Sequence, residues 1–158
     1  MPEMPCNKTF IGVDPGKHGG LVCMDYDGRV LDLIRMPSTE SDVWKWFIEI
    51  YDPSVRTVAV IEKVHSMPKQ GVASSFTFGM GYGGLRMALI AAGIPFDQVT
   101  PQKWMKAIGI PPRKKTDTNN QWKNRLKAHA QQLFPQENIT LATADALLIA
   151  EYCRRAYR

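Results

Sequence analysis

The chain has no apolar run of membrane-spanning length, no paired-cysteine spacing and no acidic excess, and each absence excludes a class of protein. Without a spanning segment it is expected to be soluble. Its three cysteines, Cys6, Cys23 and Cys153, are odd in number and lack the spacing of a zinc site. With no secretory leader, they read as free thiols of an intracellular, reducing compartment such as the cytoplasm. What remains is ordinary globular composition, 44% hydrophobic and 22% charged over 158 residues, enough for one domain over 1–158 with a buried core. Twenty Lys and Arg against fifteen Asp and Glu give a net charge of +5. That surplus suits a polyanionic partner without requiring one.

The stretch that organises the rest is Phe10 to Gly16 (FIGVDPG). Its β-branched apolar run predicts a buried strand from Lys8 to Asp14, and Pro15-Gly16 forces a turn directly after it. Asp14 at the strand's end fits two readings, an ordinary turn aspartate or a ligand for a hard cation. Gly19 to Met24 and Val30 to Met36 predict two further strands, joined by tight turns into an antiparallel meander. A helix follows, with Ser38 or Ser41 as N-cap and Val43, Trp44, Phe47, Ile48 and Tyr51 at helical spacing.

Arg56 to Glu62 (RTVAVIE) is nearly continuous in apolar residues, which predicts a central strand covered on both faces. A helical crossover makes it parallel to the first strand, so Glu62 and Asp14 emerge at the same carboxyl edge, where open α/β sheets bind ligands. Taken alone, Glu62 is equally a solvated strand-end acid beside Lys63. Val64 to Ala73, carrying His65 and Lys69, reads as a loop, and Ser74 to Ala92 as a glycine- and methionine-rich helix. Pro95 to Val99 predicts a fifth strand and Thr100-Pro101 a short helix containing Trp104 and Lys106. Arg113 to Asn120, with Lys114 and Lys115, reads as an exposed flexible loop. Trp122 to Phe134 predicts a helix bearing Lys123 and Lys127, and a final helix runs from about Leu141 with Asp145 near a core rim. These cations are a nucleic-acid surface or simply a solvated one.

Five segments together resemble a known family: Ile11–Gly16, Ile61–Val64, Thr100–Lys106, Lys123 with Phe134-Pro135, and Ala144–Ala150. In this order, over nearly the whole chain, they are similar to the RuvC Holliday-junction resolvases, above all the compact ones carried by bacteriophages. The resemblance implies a ribonuclease H-like α/β fold, a five-stranded mixed sheet with helices on both faces. It implies a Mg2+-dependent endodeoxyribonuclease, with Mn2+ as a substitute and two ions per site, acting as a homodimer on four-way and other branched DNA in the host cytoplasm.

By the same resemblance Asp14, Glu62 and Asp145 are the metal-binding catalytic acids, and Lys123 stabilises charge at the scissile phosphate. His65, Lys69, Lys106, Arg113, Lys114, Lys115 and Lys127 would contact DNA, His65 by stacking at the junction centre. One position departs from the family: Ala142 stands where an acid or histidine is usual, three residues before Asp145. Two alternatives follow, a branched-DNA-binding module without turnover, and a nuclease of the same fold acting on RNA-containing substrates.

Overall fold

The structure, a computed structural model, describes residues 7–65 and 69–158. Cys6 and part of the loop expected over Val64 to Ala73 lie outside the described residues. Strands β1 (Lys8–Asp14), β2 (Gly20–Asp25) and β3 (Val30–Arg35) are followed by α1 (Glu40–Ile50), β4 (Arg56–Glu62) and α2 (Val72–Ala91). Then come β5 (Phe96–Val99), α3 (Pro101–Ala107), α4 (Asn119–Leu133) and α5 (Ala144–Tyr157). The sheet order is β3-β2-β1-β4-β5, antiparallel across the first three strands and parallel from β1 to β4 to β5.

Strand alternation divides the core into two layers. Phe10, Val22, Met24 and Val60 face Trp104, Leu126 and Leu147, while Ile11, Val13, Leu21, Ala59 and Ile61 face Val43, Phe47, Leu85 and Leu89. Helices α3, α4 and α5 therefore cover one face and α1 and α2 the other, which is why β4 reads as an unbroken apolar run. Cys23 and Cys153 are buried free thiols, one in each layer.

The α5 helix lies directly on β1 because Gly12 has no side chain. A Cβ there would stand 2.2 Å from the Ala146 carbonyl oxygen and 2.3 Å from the Ala150 nitrogen. No side chain fits that gap, so the glycine sets the helix-to-sheet distance.

Several expectations shift. The N-cap of α1 is Thr39, whose hydroxyl accepts from the Asp42 N–H at 3.1 Å, in place of Ser38 or Ser41. Its buried face carries Val43, Trp46 and Phe47, whereas Trp44 and Ile48 are exposed. The Trp46 indole donates to Asp32 on β3 at 2.7 Å, and that bond selects one tryptophan over the other. Helix α4 begins earlier than Trp122, at a capping box of Thr118 and Gln121. The stretch before it is exposed but tied down: Asp117 takes two 2.8 Å hydrogen bonds from the Arg125 guanidinium and one from the Lys114 N–H. Helix α5 starts at Ala144, so Leu141 and Ala142 belong to the turn before it.

Candidate active site

Asp14 ends β1 and Glu62 ends the parallel neighbour β4, where Val13 pairs with Ile61 one step earlier. Asp145 occupies the first turn of α5, held across β1 by the contact at Gly12. Lys123 reaches in from α4. These four side chains line one open cleft of about 840 Å³ at the carboxyl edge of the sheet. Its opposite wall is α2, with Ser74, Thr77, Phe78 and Met80, and the start of α1.

All three acids are partly buried, and their electrostatics reflect it. Burial pushes the Asp14 carboxyl well above the ordinary range; Asp145 and Glu62 raise it further and Lys123 opposes them. Glu62 is pushed up to about 7, chiefly by burial and also by Asp145, against a hydrogen bond from Trp104 and the charge of Lys123. Asp145 is raised by burial to about 6, with Lys123 working the other way. The Trp104 indole N–H donates to Glu62 Oε2 at 2.8 Å, and Trp104 is fully buried, so it fixes where Glu62 sits.

Three carboxylates against one ammonium leave a net charge of −2 when all are ionised. Only hard oxygen donors are present in this group, and an uncompensated negative charge in a half-buried cleft is neutralised best by a divalent cation. Among the described residues, however, no group of three His, Cys, Asp or Glu side chains is arranged as a ready-made metal cage.

None of the seven expected DNA-contacting residues lines the cleft. His65 is exposed just past β4, and Lys69 is exposed with a positive φ of 68°. Lys106 is exposed near the end of α3 and Lys127 is half-buried on α4. Arg113 donates to Asn119 at 2.6 Å and to the Asp117 carbonyl at 3.2 Å, which braces the loop presenting Lys114 and Lys115. Lys17, His18 and Phe78 also line the cleft, and sequence reasoning missed them although Lys17 and His18 directly follow Asp14-Pro15-Gly16. Glu151 does not join the acids. It is buried and held by Arg154 and Arg155 at 2.8 and 2.6 Å.

This arrangement of sheet, helices and carboxyl edge has known counterparts. The structure described as T. thermophilus RuvC in complex with Holliday junction substrate superposes with a TM-score of 0.65 at 16% identity, covering 95% of this chain and 96% of that one. The chain has the RuvC fold. A second Thermus thermophilus RuvC structure gives a TM-score of 0.59 at 16% identity, covering 91% of this chain and 92% of the other. No family model and no curated protein sequence matches the chain. At 16% identity the likeness to these structures is one of fold.

Proposed function

We propose that the chain is a single-domain, metal-dependent, structure-selective endodeoxyribonuclease that resolves four-way junctions and other branched DNA by phosphodiester hydrolysis. The observation that carries this reading is the meeting of Asp14, Glu62 and Asp145 with Lys123 in one cleft of a RuvC-like fold. Asp14, Glu62 and Asp145 are the residues that would hold the cations, Mg2+ or in its place Mn2+. When bound, a pair of such ions activates a water and stabilises the oxygen that leaves phosphorus.

The chain's own groups do the rest. Raised proton affinity in the three acids is the cost of gathering them without a counter-ion, and it makes the cleft ready to exchange protons for cations. Lys123 presents an ammonium beside the acids and offsets the negative charge that builds on the phosphate during attack. Trp104 holds Glu62 in place by its N–H, and Gly12 holds α5, hence Asp145, against β1.

Cutting two opposed strands of a junction requires two sites related by a two-fold axis, which a homodimer supplies. Helix α2 offers the surface. Phe76, Met80, Met87 and Ile90 are exposed, the first at 69%, and with Gly83 they recur at spacings of 4, 3, 4 and 3 residues, a seam of coiled-coil type. His65, Lys69, Lys106, Lys114, Lys115 and Lys127 are proposed to contact DNA around the cleft, with Arg113 bracing the loop that carries Lys114 and Lys115.

The test is nicking of four-way, three-way, linear and RNA–DNA hybrid substrates with and without Mg2+. Mg2+-dependent cutting confined to branched DNA is expected, and loss of that cutting in Asp14→Asn with binding retained assigns it to this cleft. A second reading, a branched-DNA-binding module, is favoured by one observation: the turn entering α5 carries Ala142, whose side chain offers no oxygen to a cation. Binding without nicks across a full Mg2+ titration would establish it instead.

A further inference from the structure

A second hollow of about 530 Å³ opens beside the acid cleft and shares His18 and Lys123 with it. Its walls come from three distant parts of the chain: His18 in the β1–β2 turn, Arg35 ending β3, and Lys123 on α4. Thr140, Leu141 and Ala142 complete it, just before α5. Three of the six lining side chains are basic and none is acidic, whereas the neighbouring cleft is also lined by Asp14, Glu40, Glu62 and Asp145.

Backbone contacts hold these walls. The Gly19 N–H donates to the Gly16 carbonyl at 3.0 Å, and the Met36 N–H donates to the Gly19 carbonyl at 2.9 Å. Gly20 pairs with Arg35 in the sheet register. A Cβ on Gly20 would stand 2.8 Å from the Ile34 oxygen and 3.0 Å from the Ala142 oxygen, so only glycine lets the turn before α5 close against the sheet. That approach brings Leu141 and Ala142 beside His18 and Arg35.

Resting on the nuclease reading above, we propose that His18, Arg35 and Lys123 form an anion subsite that holds the phosphodiester adjacent to the one being cut, on the same strand. The scissile phosphate belongs at the acids, where a cation neutralises it. The next phosphate along the strand has no such ion, and a hollow free of carboxylates but lined by three basic groups supplies its counter-charge. Arg35 offers a planar fork suited to phosphate oxygens, His18 a ring N–H donor, and Leu141 an apolar face for the sugar. Lys123 lies between the two hollows, so a strand crossing it passes from one phosphate position to the next. The subsite fixes which way the strand runs through the cleft.

Arg35 lines only the second hollow, which makes it the residue to perturb. Phosphates flanking the cut in a four-way junction are replaced one at a time by uncharged methylphosphonate, and kcat/KM is measured for the wild type, Arg35→Gln and His18→Ala. At one position next to the cut, neutralisation is expected to slow the wild type roughly tenfold. Each variant, already slowed by a similar factor on unmodified DNA, should lose no more than about twofold further at that position, because the interaction is already gone. Arg35→Lys should recover part of the loss.

Losses that multiply at every position, or Arg35→Gln cutting as fast as the wild type, would overturn the subsite while leaving the nuclease reading intact. A wild type that fails to nick the unmodified junction in Mg2+ would overturn both.

Discussion

Replacing Glu62 with glutamine separates a catalytic acid from a structural one, because the two roles predict stability changes of opposite sign. The folded protein holds Glu62 near 7 instead of 4.5, so its protonated form is favoured and ionisation is opposed. The sign follows directly. Below about 4.5 the side chain is neutral in both folded and unfolded chains and costs nothing; as pH rises through about 7, the folded chain alone resists losing the proton and stability falls. A displacement of that size corresponds to about 3 kcal/mol, fully expressed above about pH 8. Glutamine carries no charge to desolvate and keeps an oxygen that can accept the Trp104 N–H.

Metal-free Glu62→Gln should therefore melt at the same temperature as the wild type at pH 4. At pH 8 it should melt several degrees higher, up to about 10 °C for a chain of this length. Mg2+ should raise the melting temperature of the wild type more than that of the variant, and junction cleavage should be lost. The readout is calorimetry at both pH values with and without Mg2+, alongside a nicking assay. A variant less stable than the wild type at pH 8, or one that still cuts, would refute the assignment of Glu62 to a strained cation site.

Three further outcomes follow from the same contacts. Gly12→Ala puts a methyl group 2.2 Å from the Ala146 oxygen, so α5 must move; a loss of about 3 kcal/mol or more in urea unfolding is expected, with cleavage lost as Asp145 shifts from Asp14. Trp104→Phe removes the hydrogen bond that favours the ionised form of Glu62. The acidic limb of the cleavage pH profile should then move to higher pH, with about 1–3 kcal/mol of stability lost. Met87→Glu places a charge on the exposed α2 seam at a position that does not line the cleft; sedimentation should show a monomer that binds junctions but no longer makes paired cuts.

The sheet and the places of two acids at its edge were legible because their signals are local, while their role came from the family resemblance. A β-branched run ending in Asp-Pro-Gly announces both a strand and where it stops, and RTVAVIE announces a strand buried on two faces. Asp145 was legible from the apolar run that follows it. What failed was settled by distant partners. Trp44 and Trp46 both neighbour Val43 and Phe47, and periodicity could not choose between them; Asp32, on another strand, does. Helix α4 begins in Thr118-Asn-Asn-Gln121, where no apolar residue marks a face, so the capping box was hidden in a polar stretch. Arg35 carries no motif, and the pairing of Gly20 with Arg35 is what brings it beside His18 in the turn after Asp14.

The distribution of charge explains why binding and cutting should depend differently on metal. Across the whole chain positive charge exceeds negative by five, yet the floor of the cleft carries three acids against Lys123 alone. On the nuclease reading, phosphate should be drawn to Lys17 and His18 at the cleft and to Arg35 in the hollow beside it, and repelled from the floor. Without a divalent ion a strand is expected to lie across the rim without descending to the acids, since two like charges a few ångströms apart in a half-buried cleft repel strongly. One divalent ion would cancel the floor's charge of −2 and a second would turn it positive, while the rim is left unchanged. Junction affinity should therefore change little between EDTA and Mg2+ while falling steeply with salt, and cleavage should rise from nothing to full rate over the same Mg2+ range. Equal metal dependence of the two would mean that the rim is not where the strand first lands.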